Sequence, residues 1–475
     1  MDAEQKLTPL YDALIELKDR DSISFHVPGH KFGEVFSEKG QKQFQSILEM
    51  DATEITGIDD LHAADGVIQK AQNLVSKFFE SRQSYFLVGG TTSGNLAAVM
   101  AVCRPGDTVL VQRNCHKSIL HGLEIACAKP VFLMPDFEGE SGRYSQVTVE
   151  HIEEALDMYP DIKAVFLTYP DYFGRVFDMG NVCEAIHSYD IPVIVDEAHG
   201  VHFKLGHPFP RSSLELSCDV VIQSAHKMAP AMTMASYLHV QGDRVNQTQL
   251  EYYLQVFQSS SPSYPLMASL DLARRYLAAY DQADKGELIT YIDKLREIWE
   301  HASDYWQLIP QGEWDDPLKL TLKINEDLSG YQVADVLERQ DIYPELATER
   351  QILLTVGLAP TINLETLRTR LAEVNCQLKK WSINATINVA QLSFPRLQSL
   401  DMNYIDMQLK SSEFVDWKGA IGRVCAESIV PYPPGIPLIL KGERISKEQE
   451  AHVKALYEQG ARFHNTNVES GIRVF

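Results

Sequence analysis

Lys227 follows His226 in the stretch VVIQSAHKMAP (220–230), just past a short run of apolar residues. Lysine is strongly hydrated and rarely buried, so a lysine beyond a core strand usually stays in solvent. Where a dry or cationic setting lowers its pKa, the amine becomes a nucleophile that forms a Schiff base with a carbonyl group. The position of Lys227 therefore fits either a solvated side chain or a carbonyl-reactive amine.

Asp196 ends the apolar run IPVIVD (191–196) and should emerge from a buried strand. A buried carboxylate needs a cationic partner, and a protonated pyridine nitrogen such as that of pyridoxal phosphate is one. The alternative is an Asp that caps the following turn. Ala198 is small enough for a flat ring to lie against the strand end, and His199 follows it.

The segment GGTTSGN (89–95) combines glycines with hydroxyl side chains in front of a predicted helix. Glycines let a backbone approach a ligand closely, and a helix N-terminus offers free N–H groups to an anion. This pattern predicts a phosphate cup, although glycine and threonine are also common in ordinary turns. The predicted cup residues are Thr92, Ser93 and Gly94, with Ser224 and His226 as further donors.

Two other polar residues follow predicted strands. His116, in RNCHKS, can stack on an aromatic ring or simply begin a helix. Thr168, in LTYPDYFG, can bond a phenolic oxygen or a carboxylate, or stabilise a turn. With the cup, Asp196 and Lys227, these residues describe a site for one cofactor, pyridoxal 5'-phosphate. Asp196 precedes Lys227 by 31 residues, enough for one helical crossover to the adjacent strand.

Short, continuously apolar segments alternate with helical patterns from about residue 84. This alternation is typical of a mostly parallel sheet with helices on both faces, where ligands bind beyond the carboxyl ends of the strands. The predicted strands are 84–90, 107–113, 129–134, 162–170, 191–200 and 218–227, with a further strand at 235–241 that can run antiparallel. The predicted helices are 92–104, which Ser93 can cap, 116–128 and 148–159.

The regular alternation of strand and helix patterns ends after about residue 264. Residues 263–306 favour a helix that is interrupted or ends near Gly286, and 307–475 mix short strands, such as TINVAQLSF, with helices. The predicted organisation is an N-terminal helical segment (1–24), a large ligand-binding α/β domain (25–300) and a smaller C-terminal α+β domain (301–475).

Composition excludes several classes of protein. The formal net charge of −22 argues against nucleic acid or an anionic membrane as the main partner, and an acidic surface suits a cationic small molecule. The seven cysteines show no zinc spacing and fit a reducing compartment, so no metal site is predicted. No apolar run is long enough to span a bilayer, and the N-terminus lacks a signal-peptide pattern. We expect a cytoplasmic protein.

Six blocks of the sequence together resemble the ornithine/lysine/arginine decarboxylase family, a group of aspartate-aminotransferase-like (fold type I) pyridoxal phosphate enzymes. The blocks occur in the family's order along nearly the whole chain. They are FHVPGHKFG (25–33), RNCHKS (113–118), DEAHGVHF (196–203), SAHK (224–227), SPSYPLMASLD (261–271) and VPYPPGIPLILKGE (430–443).

The resemblance implies a mostly parallel, seven-stranded-type sheet and specific roles for the candidate residues. Lys227 is then the Schiff-base lysine, Asp196 pairs with the pyridine nitrogen, and His116 stacks on the ring. Thr92, Ser93, Ser224 and His226 hold the phosphate. The family further implies a homodimer or larger homo-oligomer with the active site at the interface, lined by 25–33 and 51–62.

The implied reaction removes CO2 from lysine, arginine or ornithine and leaves the corresponding amine, with Lys227 or His226 returning a proton to the α-carbon. A cationic substrate side chain needs an acid at the far end of its pocket. Glu427, by position in the family, and Asp59 are the candidates for this acid.

The chain departs from the family pattern in three respects. It begins almost at once with the PGHK block, as the short family form does. Met234 stands where the family often has glutamine, and Asp171 where a small polar residue is more frequent. Because one scaffold supports several reactions, an aminotransferase or another amino-acid enzyme with this cofactor stays open, as does a catalytically silent binding protein.

Overall fold

The computed structural model describes residues 3–20, 22–379, 392–431 and 436–475. The chain divides into two compact units. Unit 1 comprises Met1–Val102, Ile186–His207 and Arg211–Asp281, and unit 2 comprises Cys103–Ala185, Pro208–Pro210 and Gln282–Phe475. The division into domains at residues 24 and 300 stays a prediction.

Helices account for much of the described chain. In chain order the α-helices are α1 Pro9–Lys18, α2 Glu38–Leu48, α3 Val67–Phe79, α4 Gly90–Val102, α5 Lys117–Ala126, α6 Val149–Met158, α7 Met179–His187, α8 Ala225–Met228, α9 Gln247–Phe257, α10 Tyr264–Ala279, α11 Gln282–His301, α12 Gly330–Glu338, α13 Leu364–Leu378, α14 Tyr404–Gln408, α15 Trp417–Ala420 and α16 Lys447–Glu458. Short 3-10 helices cover Glu4–Lys6, Leu61–Ala63 and Val201–Leu205.

Strands are short, as the sequence indicates. In chain order they are β1 Gln83–Leu87, β2 Thr108–Gln112, β3 Lys129–Leu133, β4 Asp136–Glu138, β5 Arg143–Gln146, β6 Val165–Thr168, β7 Val193–Asp196, β8 Val220–Gln223, β9 Ser236–Val240, β10 Trp306–Leu308, β11 Lys319–Ile324, β12 Leu346–Ala347, β13 Gln351–Thr355, β14 Leu397–Ser399, β15 Glu413–Asp416 and β16 Gly471–Val474.

The large, mostly parallel sheet draws strands from each unit. In unit 1 the order is β1-β9-β8-β7, and in unit 2 it is β6-β2-β3-β14. Pairs β7–β8, β2–β3 and β2–β6 are parallel, whereas β9 runs antiparallel to both β1 and β8. The predicted α/β class and the antiparallel strand near 235–241 are therefore confirmed. The short edge strand β14 adds an eighth strand to the expected seven, pairing antiparallel with β3.

Burial explains why these strands could be recognised. Every residue of β2, β7, β8 and β9 is buried, so each strand is covered on both faces. Strands β2, β7 and β8 each contain three consecutive apolar residues, without the alternation of a half-exposed strand. Helix α4 packs against this sheet through Gly94. A β-carbon at Gly94 would lie 2.7 Å from Leu87 Cδ1 and 2.9 Å from Ile222 Cγ2. Glycine at this position therefore sets how closely the helix approaches the strands.

Two details of the helix predictions are wrong. The predicted cap Ser93 lies inside α4, which begins at Gly90, and the Ser93 hydroxyl donates to Gly90 O at 2.9 Å. The break predicted near Gly286 falls instead at Tyr280, whose backbone is extended, and Gly286 lies within α11. No atom lies within 4 Å of where a β-carbon would project at Gly286, so no close contact requires glycine there.

A buried ion pair fixes the N-terminal segment of unit 1. Asp271 Oδ2 accepts hydrogen bonds from the N–H groups of Leu10 at 3.1 Å and Tyr11 at 3.4 Å, at the start of α1. Arg274 donates to Asp271 Oδ1 at 2.7 Å and to Gln5 O at 2.6 Å. Both charged side chains are fully buried, so their pairing and the backbone bonds compensate for lost hydration.

The C-terminal part of unit 2 contains smaller sheets and its own core. Strands β10-β11-β13-β12 form one antiparallel sheet, and β15 pairs with β16. A cluster including Trp417, Cys425, Ile439 and Ile472 packs beside the second of these sheets. This organisation agrees with the expected smaller α+β region. Most of the predicted strand TINVAQLSF and residues 432–435 of the block 430–443 lie outside the described residues.

The described helices give no membrane anchor: none combines the length and apolar character needed to cross a bilayer.

Candidate active site

Lys227 lies on α8, a single helical turn directly after β8. Its side chain is exposed, and Lys227 Nζ lies 2.9 Å from His199 Nε2. Because an ammonium group can only donate, His199 Nε2 accepts and the ring proton lies on Nδ1. The structure thus places the predicted nucleophile and His199 in direct contact at neighbouring strand ends.

Asp196 is the last residue of β7 and is 5% exposed. Its Oδ2 accepts a hydrogen bond from Asn95 Nδ2 at 2.9 Å, and its Oδ1 accepts one from Ala198 N at 3.1 Å. Within the described ranges no cationic side chain partners this carboxylate. A buried carboxylate held only by neutral donors is well suited to receive a positively charged ligand group.

A buried group of hydroxyls lies at the start of α4. Thr91 Oγ1 contacts Ser224 Oγ and lies 3.4 Å from Ser236 Oγ. Gly90, with φ of +71°, lets the chain turn from β1 directly into the helix. The first N–H groups of α4 have no intrahelical acceptor and, with these hydroxyls, form a donor set for a phosphate.

The three predicted cup residues lie in this first part of α4 but in different surroundings. Thr92 is exposed, whereas Ser93 is buried with its hydroxyl bonded to Gly90 O. Gly94 packs against β1 and β8. Their roles in binding phosphate stay predictions, and the structure adds Thr91 and Ser236 to the candidates.

His226 lies beside Lys227 on α8 and is partly buried. Its Nδ1 lies 3.1 Å from Ala235 O, and since a carbonyl oxygen only accepts, Nδ1 carries the proton. Burial lowers the pKa of His226, with a further contribution from the charge of Lys227. A neutral ring with Nε2 as an acceptor follows.

His116 and Thr168 belong to unit 2. His116 is the N-cap of α5, and its Nδ1 accepts from Ser118 N at 3.2 Å. Thr168 ends β6, and its N–H donates to Gln112 Oε1 at 3.0 Å. The buried Thr168 Oγ1 has no hydrogen-bond partner among the described residues, which leaves it able to bond a ligand oxygen.

Both candidate substrate acids already have partners. Asp59 accepts hydrogen bonds from several backbone N–H groups around the start of α3, including Gly66 at 2.8 Å and Ile68 at 2.9 Å. Burial raises its pKa, but these hydrogen bonds outweigh that effect and lower it overall. In unit 2, Glu427 accepts from Arg473 N at 2.9 Å and Asn465 Nδ2 at 3.2 Å.

The donor set fits pyridoxal phosphate group by group. Its phosphate matches the hydroxyls and helix N-terminus at Thr91, and its aldehyde matches the Lys227 amine. Its pyridinium matches the Asp196 carboxylate, which no cationic side chain of the described residues pairs. All three lie in unit 1, at or just beyond the ends of β1, β7 and β8.

Comparison with protein families gives two matches. Residues 8–313 match the model described as "Orn/Lys/Arg decarboxylase, major domain", and residues 393–464 match the corresponding C-terminal domain. The chain belongs to the Orn/Lys/Arg decarboxylase family. Membership identifies it as an enzyme, an amino-acid decarboxylase, and confirms the resemblance found in the sequence.

Relatives matched over most of this chain support this assignment. The chain is 42% identical to the "Uncharacterized protein YaaO" of Bacillus subtilis over 98% of this chain and 97% of that protein. It is 31% identical to an arginine decarboxylase of Bacillus anthracis, over 95% of this chain and 94% of that protein. It is 24% identical to the constitutive lysine decarboxylase of Escherichia coli, over 93% of this chain and 76% of that protein.

Solved structures show the same fold. The lysine decarboxylase LdcF of Francisella novicida superposes with a TM-score of 0.81 at 19% identity, over 99% of this chain and 81% of that one. A serine palmitoyltransferase of Sphingomonas wittichii superposes with a TM-score of 0.56 at 14% identity, over 73% and 86%. The fold is therefore that of the fold type I pyridoxal phosphate enzymes.

Four residues of this region were not predicted as site residues from the sequence: Thr91, Asn95, Glu197 and Ser236. Thr91 and Asn95 both lie in the segment GGTTSGN (89–95), four residues apart, so they share one face of α4. On that face Thr91 contacts Ser224, and Asn95 bonds to Asp196. Ser236 begins an antiparallel strand and carries no motif of its own.

Proposed function

We propose that this enzyme decarboxylates a basic amino acid with pyridoxal phosphate, and that arginine is its preferred substrate. The observation that supports the cofactor is the Lys227–His199 contact beside the buried, cation-free carboxylate of Asp196. The choice of arginine is supported by the relatives. Two bacillar proteins named arginine decarboxylase are 31% and 32% identical to the chain, compared with 24% for the lysine decarboxylase of Escherichia coli.

When bound, pyridoxal phosphate supplies the electron sink that accepts the electrons released as CO2 leaves. The residues of the chain bind, orient and transfer protons. Lys227 Nζ is the amine that holds the aldehyde, and His199 Nε2 orients that amine. Asp196 keeps the pyridine nitrogen protonated, while Asn95 fixes the direction of the carboxylate.

In unit 2, the Thr168 hydroxyl is proposed to donate to the phenolic oxygen and His116 to stack on the ring. After CO2 loss a proton must reach the α-carbon. Lys227 is the better donor, because the lowered pKa of His226 leaves that ring neutral with its one N–H bonded to Ala235 O.

Glu427 and Asp59 are the candidates for the acid that binds the cationic end of the substrate. Glu427 keeps a partly exposed carboxylate, and the side-chain oxygens accept from two neutral donors among the described residues, so it can still accept a guanidinium. The Asp59 carboxylate is occupied by backbone N–H groups. Glu427 is therefore the preferred candidate.

Homodimer formation is the second part of the proposal. The block 25–33 is in contact with 51–62: His30 Nε2 lies 3.2 Å from Asp51 Oδ2, and Thr53 Oγ1 donates to Val27 O at 3.3 Å. Phe25 is 94% exposed and Val27 64% exposed. Adjacent large apolar side chains in solvent favour a surface that a second copy covers.

A product assay tests the reaction. Purified protein loaded with pyridoxal phosphate is offered arginine, lysine and ornithine separately, and CO2 and amine are measured. We expect amine from arginine foremost, none from Lys227→Ala, and unchanged product from Lys70→Ala, which removes an exposed lysine on α3. A yellow wild-type protein that releases amine from none of the three substrates contradicts the proposal and favours transamination or another reaction.

A further inference from the structure

Glu197, the neighbour of Asp196, is completely buried and has no role in the reaction described so far. Its Oε1 accepts hydrogen bonds from Gln223 Nε2 at 2.6 Å and Ser212 Oγ at 2.8 Å. Its Oε2 accepts from Ser213 N at 2.6 Å. Three donors converge on one carboxylate inside unit 1, which is the environment of an ionised acceptor.

These bonds extend into a buried chain with a fixed direction. Because the Gln223 amide donates to Glu197 through Nε2, its Oε1 must accept, and His239 Nε2 lies 3.1 Å from it. His239 Nε2 therefore carries the ring proton, and Nδ1 accepts from Ser84 Oγ at 2.8 Å. The chain runs from β1 through β9 and β8 and terminates on Glu197.

Glu197 also shapes the turn that carries His199. Its N–H donates to Ile222 O at 2.9 Å, and its carbonyl accepts from Gly200 N at 3.0 Å. A β-carbon at Gly200 would lie 2.5 Å from Glu197 Cγ. The turn from 197 to 200 is thus wrapped tightly around the Glu197 side chain, and His199 of this turn contacts Lys227.

The charge of Glu197 depends on pH near neutrality. Burial raises the pKa of Glu197 to about 7, although the bonds from Ser213, Gln223 and Ser212 oppose this rise. Burial lowers the pKa of His239 to about 3, so that ring stays neutral. The turn that carries Glu197 also carries Asp196, His199 and His202. The neighbouring elements add His226 and Lys227 on α8 and Tyr237 and His239 on β9.

We propose that ionised Glu197 is a positioning residue for the cofactor site: as terminal acceptor of the buried hydrogen-bond chain, it holds the 197–200 turn so that His199 orients Lys227. Protonation adds a donor where three donors already converge, so the chain must rearrange at this end. Gln223, a donor to Glu197, directly precedes Ser224, whose hydroxyl contacts Thr91 at the start of α4. The rearrangement therefore affects both the His199–Lys227 contact and the candidate phosphate-binding hydroxyls. The inference rests on the proposed function only in requiring that Lys227 binds pyridoxal phosphate.

The test measures cofactor binding without substrate. Dissociation constants for pyridoxal phosphate are determined from the absorbance of the Lys227-bound cofactor at about pH 8 and about pH 6, bracketing the raised pKa. Wild type is compared with Glu197→Gln and with Glu251→Gln, which removes a unit 1 carboxylate bonded to Tyr85. We expect Glu197→Gln to bind about tenfold more weakly at the higher pH and within about twofold of wild type at the lower one. Glu251→Gln should follow wild type at both.

A Glu197→Gln protein that matches wild type at both pH values, or is weakened equally at both, overturns the inference. If this variant does not fold, Ser212→Ala replaces it, since it keeps the carboxylate and removes one donor. The pKa of Glu197 then rises further, and the midpoint of pH-dependent cofactor binding should move up by roughly half a unit to one unit. An unmoved midpoint also overturns the inference. Because no substrate is used, absence of decarboxylation would not affect either readout.

Discussion

Lys227 depends on its neighbours because α8 is too short to be stable by itself. Lys227 N donates to Ser224 O at 3.1 Å, and His226 N donates to Ala235 O at 3.1 Å. The backbone of this turn is therefore held by hydrogen bonds at both His226 and Lys227. A sequence pattern identified the residue, but its orientation comes from these contacts and from His199.

His239 allows a prediction about stability at the same scale. Its pKa is about 3 in the folded protein and ordinarily near 6.5, so below 6.5 the unfolded chain binds a proton that the folded chain does not. This contribution to stability is complete above about pH 6.5 and is lost as pH falls towards 3. The difference in unfolding free energy between wild type and His239→Asn should shrink by about 1.4 kcal/mol between about pH 7.5 and about pH 5.5.

Urea unfolding at the two pH values measures this difference. His207→Asn, which removes an exposed histidine of unit 1, is the control and should show no comparable change. A difference between wild type and His239→Asn that is the same at both pH values contradicts the assignment of a neutral, buried ring.

At the scale of elements, Asp59 acts on the start of α3. Its carboxylate satisfies N–H groups that the helix itself leaves without acceptors, and its φ of +71° is one that asparagine also tolerates. Asp59→Ala should lower the unfolding free energy by about 1 to 2 kcal/mol, and Asp59→Asn by less. Chemical denaturation measures both values.

The same variants decide whether Asp59 also binds substrate. For a residue that only stabilises the helix, Asp59→Asn keeps KM and kcat close to wild type. A large rise in KM for arginine with Asp59→Asn, alongside an unchanged KM for Glu427→Gln, would return Asp59 to the substrate pocket and remove Glu427.

The sequence predicted strands better than helix ends, for physical reasons. Strands β2, β7 and β8 are buried throughout, so their composition alone distinguishes them. Helix α4 begins at a glycine, and the preference of serine for caps pointed to Ser93 instead. The chain from Ser84 to Glu197 was not predicted, since its contacts join residues far apart in sequence and lie between strands whose register only the fold sets.

At the scale of the molecule, the exposed apolar block at 25–33 gives a prediction about assembly. Replacing Phe25 and Val27 with serine should shift the proposed dimer towards monomers, because the burial of both side chains would stabilise the interface. Sedimentation velocity measures the distribution. The control is Tyr343→Ser, which replaces a side chain that is 74% exposed in unit 2 and should leave the sedimentation distribution unchanged. A wild-type protein that sediments as a monomer at all concentrations refutes the dimer.

Strand β14 has a consequence for how the protein is made. It pairs with β3 although the ribosome produces it long afterwards. Until Leu397–Ser399 emerge, the backbone of β3 on that side lacks its final hydrogen-bonding partner, and an open strand edge invites pairing with other chains. Nascent chains that are arrested before β14 has emerged should therefore depend more strongly on chaperones than chains that include β14.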